Sequence, residues 1–210
     1  MRIALILLFF LTVEATAQRF GGGAYGGIST SQVSGDDIGG FHKVGGWAGL
    51  FTDFRFTPRS TLQLELSFIQ KGSKQTPTLK NGNTLYFHNQ NMVEMPIMYR
   101  WYGIRNLSLE VGTQVGFFLN TVEKDISGEI PNTAPLRKAE WSLAGGLSYY
   151  FLKGKLEVNG RYSNSVISLK STEWWVNHVI AFSVRYWFRT TLDQQKISSK
   201  EKKDKIKFLR

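Results

Sequence analysis

Three histidines are the residues of this sequence best suited to proton transfer or metal binding. They are His42, His88 and His178, and they lie far apart along the chain. The sequence has no His-x-x-x-His spacing, no His-x-Ser pair and no glycine-framed serine, the patterns that metal sites and nucleophilic centres use. Its Gly21-Gly22-Gly23 run lies in a strand-like segment, unlike a phosphate-binding turn between strand and helix. We therefore expect no catalytic residue, no metal site and no cofactor.

Carboxylates and guanidiniums form a second set of reactive side chains, and their spacing has a period of two. The segment VEMPIMYRWY, residues 93–102, shows the pattern, because apolar residues alternate there with Glu94, Pro96 and Arg100. Charges are rarely buried without a partner, so such a strand needs opposite charges near its polar face. A proline on that face removes a hydrogen bond of the β-ladder, and we expect a bulge or local distortion at Pro96.

The same alternation places nine charged side chains on the polar face of the strands. We call them the lumen charge network, since the barrel predicted from the strand pattern has this face inside: Asp53, Arg55, Glu65, Glu94, Arg100, Glu110, Glu157, Arg161 and Arg185. With five carboxylates and four guanidiniums the network is nearly neutral, so its members can pair and hydrogen-bond. We expect these pairs to form between neighbouring strands and to fill the interior, although the sequence does not say which acid meets which base.

About eight segments of alternating hydrophobicity carry these residues. They are residues 20–33, 43–56, 61–70, 90–102, 105–122, 138–151, 155–168 and 176–188. No stretch between residues 18 and 188 has a convincing period of 3.6 residues, so the pattern predicts an all-β chain. Short connections at 57–60, 103–104 and 152–154 alternate with longer ones, as in an up-and-down antiparallel meander. Outer-membrane barrels sort their connections in this way, with short periplasmic turns and long extracellular loops.

Period-two alternation alone fits both a transmembrane barrel and a soluble, lipocalin-like barrel. Two features favour the membrane: lysines such as Lys43, Lys71 and Lys155 occur at strand ends or in loops, and aromatic residues gather near both ends of the strands. Those near the short turns are Phe54, Phe56, Tyr99, Trp101, Tyr102, Tyr149, Tyr150, Phe151, Tyr186, Trp187 and Phe188, and those toward the long loops are Phe117, Phe118, Trp141, Trp174 and Trp175. Two such belts are typical of membrane interfaces. We predict an eight-stranded antiparallel up-and-down transmembrane β-barrel.

The two ends of the chain lie outside the strand pattern. Residues 1–17 combine Arg2, an apolar stretch at 3–13 and the small residues Ala15-Thr16-Ala17, which predicts a secretory signal peptide. Residues 18–189 form the predicted barrel, and residues 190–210 form a lysine-rich tail. The net charge is +10, and there is no cysteine. Because the signal peptide predicts export, we interpret the tail as a solvated periplasmic segment with no nucleic-acid partner.

Several short motifs, taken in their order along the chain, resemble those of the small outer-membrane β-barrel family of Bacteroidota known as PorT-like. The stretches are GGWAGLFTDFRF, LQLELSFIQKGSK, VEMPIMYRWY and LSLEVGTQVGFFL. The residues that fit the family pattern are Gly45, Gly49, Glu65, Lys71, Gly72, Glu94, Pro96, Gly112 and Gly116. The resemblance covers most of residues 18–188 and excludes the tail. It implies an outer-membrane barrel of a Gram-negative cell, with a role in secretion or envelope assembly.

Three classes of function remain open at this stage. The favoured one is a non-enzymatic barrel with a filled lumen and periplasmic termini, which binds a partner through its loops or its periplasmic face. A narrow channel is disfavoured by the filled lumen, and an enzyme acting on lipids is disfavoured by the histidine pattern. Expected partners are outer-membrane lipid, including lipopolysaccharide, and a periplasmic or secretion-machinery protein.

Overall fold

A computed structural model describes residues 20–36, 38–79, 84–104, 106–130, 137–169 and 174–189. Nine strands are present in this part of the chain: β1 Phe20–Ser34, β2 Lys43–Thr57, β3 Ser60–Gln75, β4 Tyr86–Ile104, β5 Leu107–Asp125, β6 Gly128–Glu129, β7 Ala139–Phe151, β8 Leu156–Ser165 and β9 Val176–Arg189. A 3-10 turn, Leu152–Gly154, joins β7 to β8. Strand β6 has two residues and only extends the hairpin at the end of β5.

The eight long strands close into one barrel. Each pairs antiparallel with its neighbours in sequence, and β1 also pairs with β9 along nearly its whole length. The predicted all-β, eight-stranded up-and-down barrel is therefore confirmed. Several strands are longer than predicted at the long-loop end, where β3 reaches Gln75, β4 begins at Tyr86 and β5 continues to Asp125. Apart from Tyr86 and Phe87 the added residues are polar or glycine, so the hydrophobic alternation fades although the ladder pairing continues.

The outer surface of the barrel is an apolar band. Side chains that alternate with the buried ones are exposed and aliphatic or aromatic, including Ile28, Leu50, Leu64, Leu66, Ile97, Val111, Leu143, Val158 and Val184. No charged side chain interrupts the middle of this band among the described residues. An apolar exterior around a polar interior is the arrangement that lipid imposes on a barrel. Among the described residues, no helix is long and apolar enough to cross a membrane.

The aromatic residues near the short turns divide between the two faces. Phe56, Tyr99, Trp101, Tyr149, Phe151, Tyr186 and Phe188 are exposed, as the prediction of an interfacial belt requires. Tyr150 and Trp187 are buried instead, and Tyr102 is half-buried and packs with the core. At the long-loop end Trp175 is also buried. The belt prediction is wrong for these residues, because their position in the alternation turns them inward.

Pro96 faces the lumen as expected, but no bulge accompanies it. The pairs on either side of it in the β3–β4 ladder, Leu64–Ile97 and Ser67–Glu94, keep the same register. On the other side Pro96 pairs with Gln114 of β5 without a shift. The missing amide hydrogen is thus accommodated by a local gap in the β3–β4 pairing rather than by an inserted residue.

Candidate functional site: the charged lumen

All nine residues of the lumen charge network are buried inside the barrel. Their relative exposure does not exceed the 8% of Arg55. Each occupies an inward position of a strand, because side chains alternate between the two faces of a sheet with a period of two. The strands bring seven of them into direct ion pairs, while Asp53 and Arg55 lie apart from those pairs toward the short-turn end.

Arg161 on β8 joins two carboxylates from other strands. Its Nη1 and Nη2 donate to the two carboxylate oxygens of Glu65 on β3, at 2.9 and 2.8 Å. Its Nε donates to Glu110 Oε1 on β5 at 2.7 Å. A bidentate guanidinium–carboxylate pair is the strongest and most directional form of this interaction. Arg161 therefore connects β8 to β3 across the interior of the barrel.

Arg100 on β4 makes a comparable set of contacts. It donates to both oxygens of Glu157 on β8, to Gln63 Oε1 at 2.7 Å and to Ser148 Oγ at 2.6 Å. Its Nε lies 3.3 Å from Glu110 Oε2. The side chain is fully buried, so the compensation of its charge comes from protein groups rather than from bulk water.

Arg185 on β9 completes the central group of charges. Its Nη1 donates to Glu65 Oε1 at 3.0 Å, and its Nε lies 3.8 Å from Glu157 Oε1. The guanidinium also lies over the Tyr25 ring, 4.5 Å from its centroid. Three arginines thus face three glutamates, and this central group is formally neutral.

The predicted pairing between neighbouring strands is mostly wrong. Arg100–Glu110 and Arg185–Glu157 do join adjacent strands, but Arg161–Glu65, Arg161–Glu110, Arg185–Glu65 and Arg100–Glu157 join strands that are not neighbours. An eight-stranded barrel is narrow enough for long side chains to meet across it. The ion pairs therefore connect strands that lie on different sides of the barrel interior.

A second cluster, here called the Lys71 cluster, consists of Lys71, Glu94 and Glu140. Lys71 Nζ lies 2.5 Å from Glu94 Oε1 and 2.9 Å from Glu140 Oε1, and all three side chains are buried. The carboxylates are also hydrogen-bonded by neutral groups, because Gln114 donates to Glu94 and Asn177 donates to Glu140. Two acids sharing one ammonium give this cluster a formal charge of −1.

Two members of the Lys71 cluster were missed by the sequence reasoning. The sequence pattern predicts a strand-end position for Lys71 and does not assign Glu140 to the lumen. Both continue the inward alternation, Lys71 two residues beyond Ile69 and Glu140 two residues before Ser142. Counting every second residue along each strand could have placed both side chains in the lumen. That alternation is harder to recognise near the strand ends, where the apolar face is less regular.

Asp53 and Arg55 lie near the short-turn end on β2. Within the described residues neither forms an ion pair, and Arg55 Nε and Nη1 have no hydrogen-bond partner. The Arg55 guanidinium lies 5.4 Å from the centroid of the Tyr102 ring.

Apolar side chains fill both ends of the lumen. At the short-turn end the rings of Phe51, Tyr150 and Trp187 pack together, with Phe51 and Trp187 edge to face at 4.7 Å. At the opposite end Val33, Leu169 and Trp175 form a small apolar cluster.

The three histidines occupy different environments. His88 is buried and contacts Gln90 through Nε2 at 2.8 Å, whereas His178 lies on the outer wall, where its Nδ1 is 2.8 Å from the Tyr162 hydroxyl oxygen. His42 precedes β2, next to Gly40. The structure does not bring these rings together. In the part of the chain that is described, no three His, Asp or Glu side chains are grouped so that they could hold a metal ion.

A closed eight-stranded barrel with an apolar exterior and a charged interior defines an outer-membrane β-barrel protein. Residues 15–171 match the family described as outer membrane protein beta-barrel domain, and the chain belongs to this family. The family places the protein in the outer membrane. No curated protein sequence matches the chain.

Two solved structures with a similar fold are outer-membrane barrels. Neisserial surface protein A has 10% identity and a TM-score of 0.53, and the match covers 79% of this chain and 96% of that one. The Yersinia pestis attachment invasion locus protein Ail, in complex with the heparin analogue sucrose octasulfate, has 11% identity and a TM-score of 0.50, with coverage of 81% and 99%. Identities this low show a shared fold alone.

Proposed function

We propose that the protein is a non-enzymatic, non-conducting barrel that serves the outer membrane by binding a partner. The observation that carries this proposal is that buried ion pairs between strands occupy the lumen. Arg161 alone contacts Glu65 and Glu110 with three hydrogen bonds, all between buried groups. A path for hydrated ions would have to replace these contacts with water, at the cost of separating charges that now compensate one another.

The proposed topology has both termini in the periplasm. Residues 1–17 act as a signal peptide, residues 18–189 form the barrel and residues 190–210 form a charged periplasmic tail; residues 1–19 and 190–210 lie outside the described residues. An even number of strands leaves the two ends of the barrel chain on the same side. The short turns after β2, β4 and β7 lie at that same end, and short turns are periplasmic in barrels of this class.

The resemblance to the PorT-like barrels of Bacteroidota suggests the kind of partner. It implies a part in protein secretion or envelope assembly, with a periplasmic or secretion-machinery protein docking at the periplasmic end. The same resemblance and the filled lumen favour this role over a narrow channel. The scattered histidines give no support to an enzyme acting on lipids.

Electrical recording from planar bilayers tests the proposal. Full-length mature protein reconstituted into a bilayer should show no steady unitary conductance, because ion pairs and packed rings occupy the lumen. Folding of the same preparation is checked by the change in SDS-gel mobility on boiling, which is expected of a closed barrel whose backbone groups are all paired. Large, stable conductance steps from protein that passes this check would replace the proposal with a channel.

A further inference from the structure

A cavity of about 500 Å³ lies near the long-loop end of the barrel. It lies where β5 passes the residues that lead into β7, and its lining includes Phe117, Leu119, Asn120, Arg137 and Lys138. Arg137 and Lys138 are exposed, and so are Phe117 and Leu119. The cavity is therefore bounded by two cations on one side and by apolar side chains on the other.

A bulge in β5 shapes this cavity. Met92 of β4 pairs with Phe118, but the next residue back, Asn91, pairs with Asn120, so Leu119 is the inserted residue. A bulge re-aims the side chains next to it. Here Leu119 and Asn120 are both exposed although they are consecutive in sequence. An aliphatic and an amide side chain consequently reach the same outer surface.

Amide side chains form a hydrogen-bonded row on the outer wall beside the cavity. Gln70 Nε2 donates to Asn91 Oδ1 at 3.1 Å, and Asn91 Nδ2 donates to Asn120 Oδ1 at 2.6 Å. This row crosses β3, β4 and β5 just beyond the last apolar residues of the band, such as Phe68 and Val93. It therefore marks the level at which the outer surface changes from apolar to polar.

The two cations have no compensating acid in the described structure. Neither Arg137 nor Lys138 forms an ion pair with a carboxylate of the described residues, where the exposed ion pair is Lys124–Glu129 at 3.9 Å. The Arg137 backbone is fixed, since its amide donates to Leu169 O at 2.8 Å. Below the cations Trp141 is exposed on β7, and its indole nitrogen donates to Thr113 Oγ1. An exposed tryptophan at this level is typical of the membrane interface.

We propose that this cavity binds the phosphorylated sugar headgroup of lipopolysaccharide in the outer leaflet. Arg137 and Lys138 hold a phosphate, the amide row meets sugar hydroxyls, and Phe117, Leu119 and Trp141 contact the acyl chains. Cations pair strongly with phosphate. The cations, the amide row and the apolar side chains follow one another in the order in which a glycolipid presents its phosphates, sugar hydroxyls and acyl chains at a membrane surface. The assignment rests on the proposed orientation, which places the long loops outside the cell.

Native mass spectrometry of the detergent-solubilised full-length protein tests this site, with purified lipid A as the probe. Near a membrane surface each cation contributes roughly a fivefold change in the affinity for anionic lipid. The Arg137→Ala/Lys138→Ala variant should therefore bind lipid A about thirtyfold more weakly than the unchanged protein. Lipid A from which the phosphates have been removed should bind both proteins equally weakly. The matched control is Lys155→Ala, which removes an exposed cation at the opposite end of the barrel and should leave lipid A binding unchanged.

Three results would overturn the site, and a fourth would refute the orientation on which it rests. Unchanged affinity in the Arg137→Ala/Lys138→Ala variant would overturn the site, and so would equal binding of phosphorylated and dephosphorylated lipid A. Equal losses in this variant and in Lys155→Ala would overturn it too, since that pattern reports net charge alone. In cells, an external biotinylation reagent that labels Lys155 but not Lys138 would instead refute the orientation, and with it the proposed topology.

Discussion

Replacement of Arg100 by leucine is expected to destabilise the folded barrel by about 3–5 kcal/mol. The side chain is fully buried, and it donates to Glu157, Gln63 and Ser148. Leucine fills part of the volume but leaves the Glu157 carboxylate with only the longer contact to Arg185, at 3.8 Å, as a charged partner. An uncompensated buried charge costs far more than the net contribution of the pair. The measurement is urea unfolding of protein refolded into lipid vesicles.

Arg59→Leu is the matched control for this substitution. Arg59 is exposed in the tight turn between β2 and β3, so the same chemical change there should alter the free energy of unfolding by no more than about 0.5 kcal/mol. Equal and small effects of the two substitutions would mean that Arg100 is solvated, and that result would contradict a filled lumen.

The second large effect is expected in the Lys71 cluster. Lys71→Met should destabilise the barrel by about 3–5 kcal/mol, because it leaves Glu94 and Glu140 facing one another without a cation. Methionine matches the length of the lysine stem, so packing is largely retained and the lost charge dominates. Urea unfolding in lipid vesicles again measures the free energy.

Restoring neutrality should rescue this variant. Adding Glu94→Gln and Glu140→Gln to Lys71→Met removes both negative charges while keeping side chains that hydrogen-bond to Gln114, Ser142 and Asn177. The triple variant should recover most of the lost stability, since replacing a whole buried ionic group is often nearly neutral. A triple variant less stable than Lys71→Met alone would show that shape, rather than charge, governs this cluster.

Much of the fold could be predicted from the sequence because a strand has a side-chain period of two. In VEMPIMYRWY this period separates Met95, Ile97 and Tyr99 from Glu94 and Arg100, and the structure exposes the first group and buries the second. The alternation of short and long connections then determined the topology. Both signals are local, so neither required knowledge of the three-dimensional contacts.

The ion pairs could not be predicted in the same way. Which acid meets Arg161 depends on the tilt and stagger of strands around a closed barrel, and these are properties of the whole sheet. Glu65 is 96 residues away from Arg161 and lies on a strand that does not pair with β8. Lys71 and Glu140 were missed for a different reason, because the apolar alternation weakens near the strand ends that contain them.

The aromatic residues show a further limit of sequence patterns. Trp187 and its neighbours Tyr186 and Phe188 have the same preference for an interface, but only Trp187 is buried, where its indole donates to Glu157 Oε2 at 2.8 Å. Residue type alone placed all three in the belt. Parity along β9 separates them, since Arg185 and Trp187 share the inward face.

A double-mutant cycle between Arg161 and Glu65 tests the central claim most directly. These side chains come from β8 and β3, and their bidentate contact exists only if the lumen is closed by direct ion pairs. The free energies of unfolding of Arg161→Met, Glu65→Gln and the double variant give the coupling energy. A filled lumen predicts a coupling of at least about 1.5 kcal/mol, as close charge pairs show when they are shielded from water. A coupling indistinguishable from zero would mean that water separates the two charges. It would contradict a non-conducting barrel whose lumen is filled by direct ion pairs.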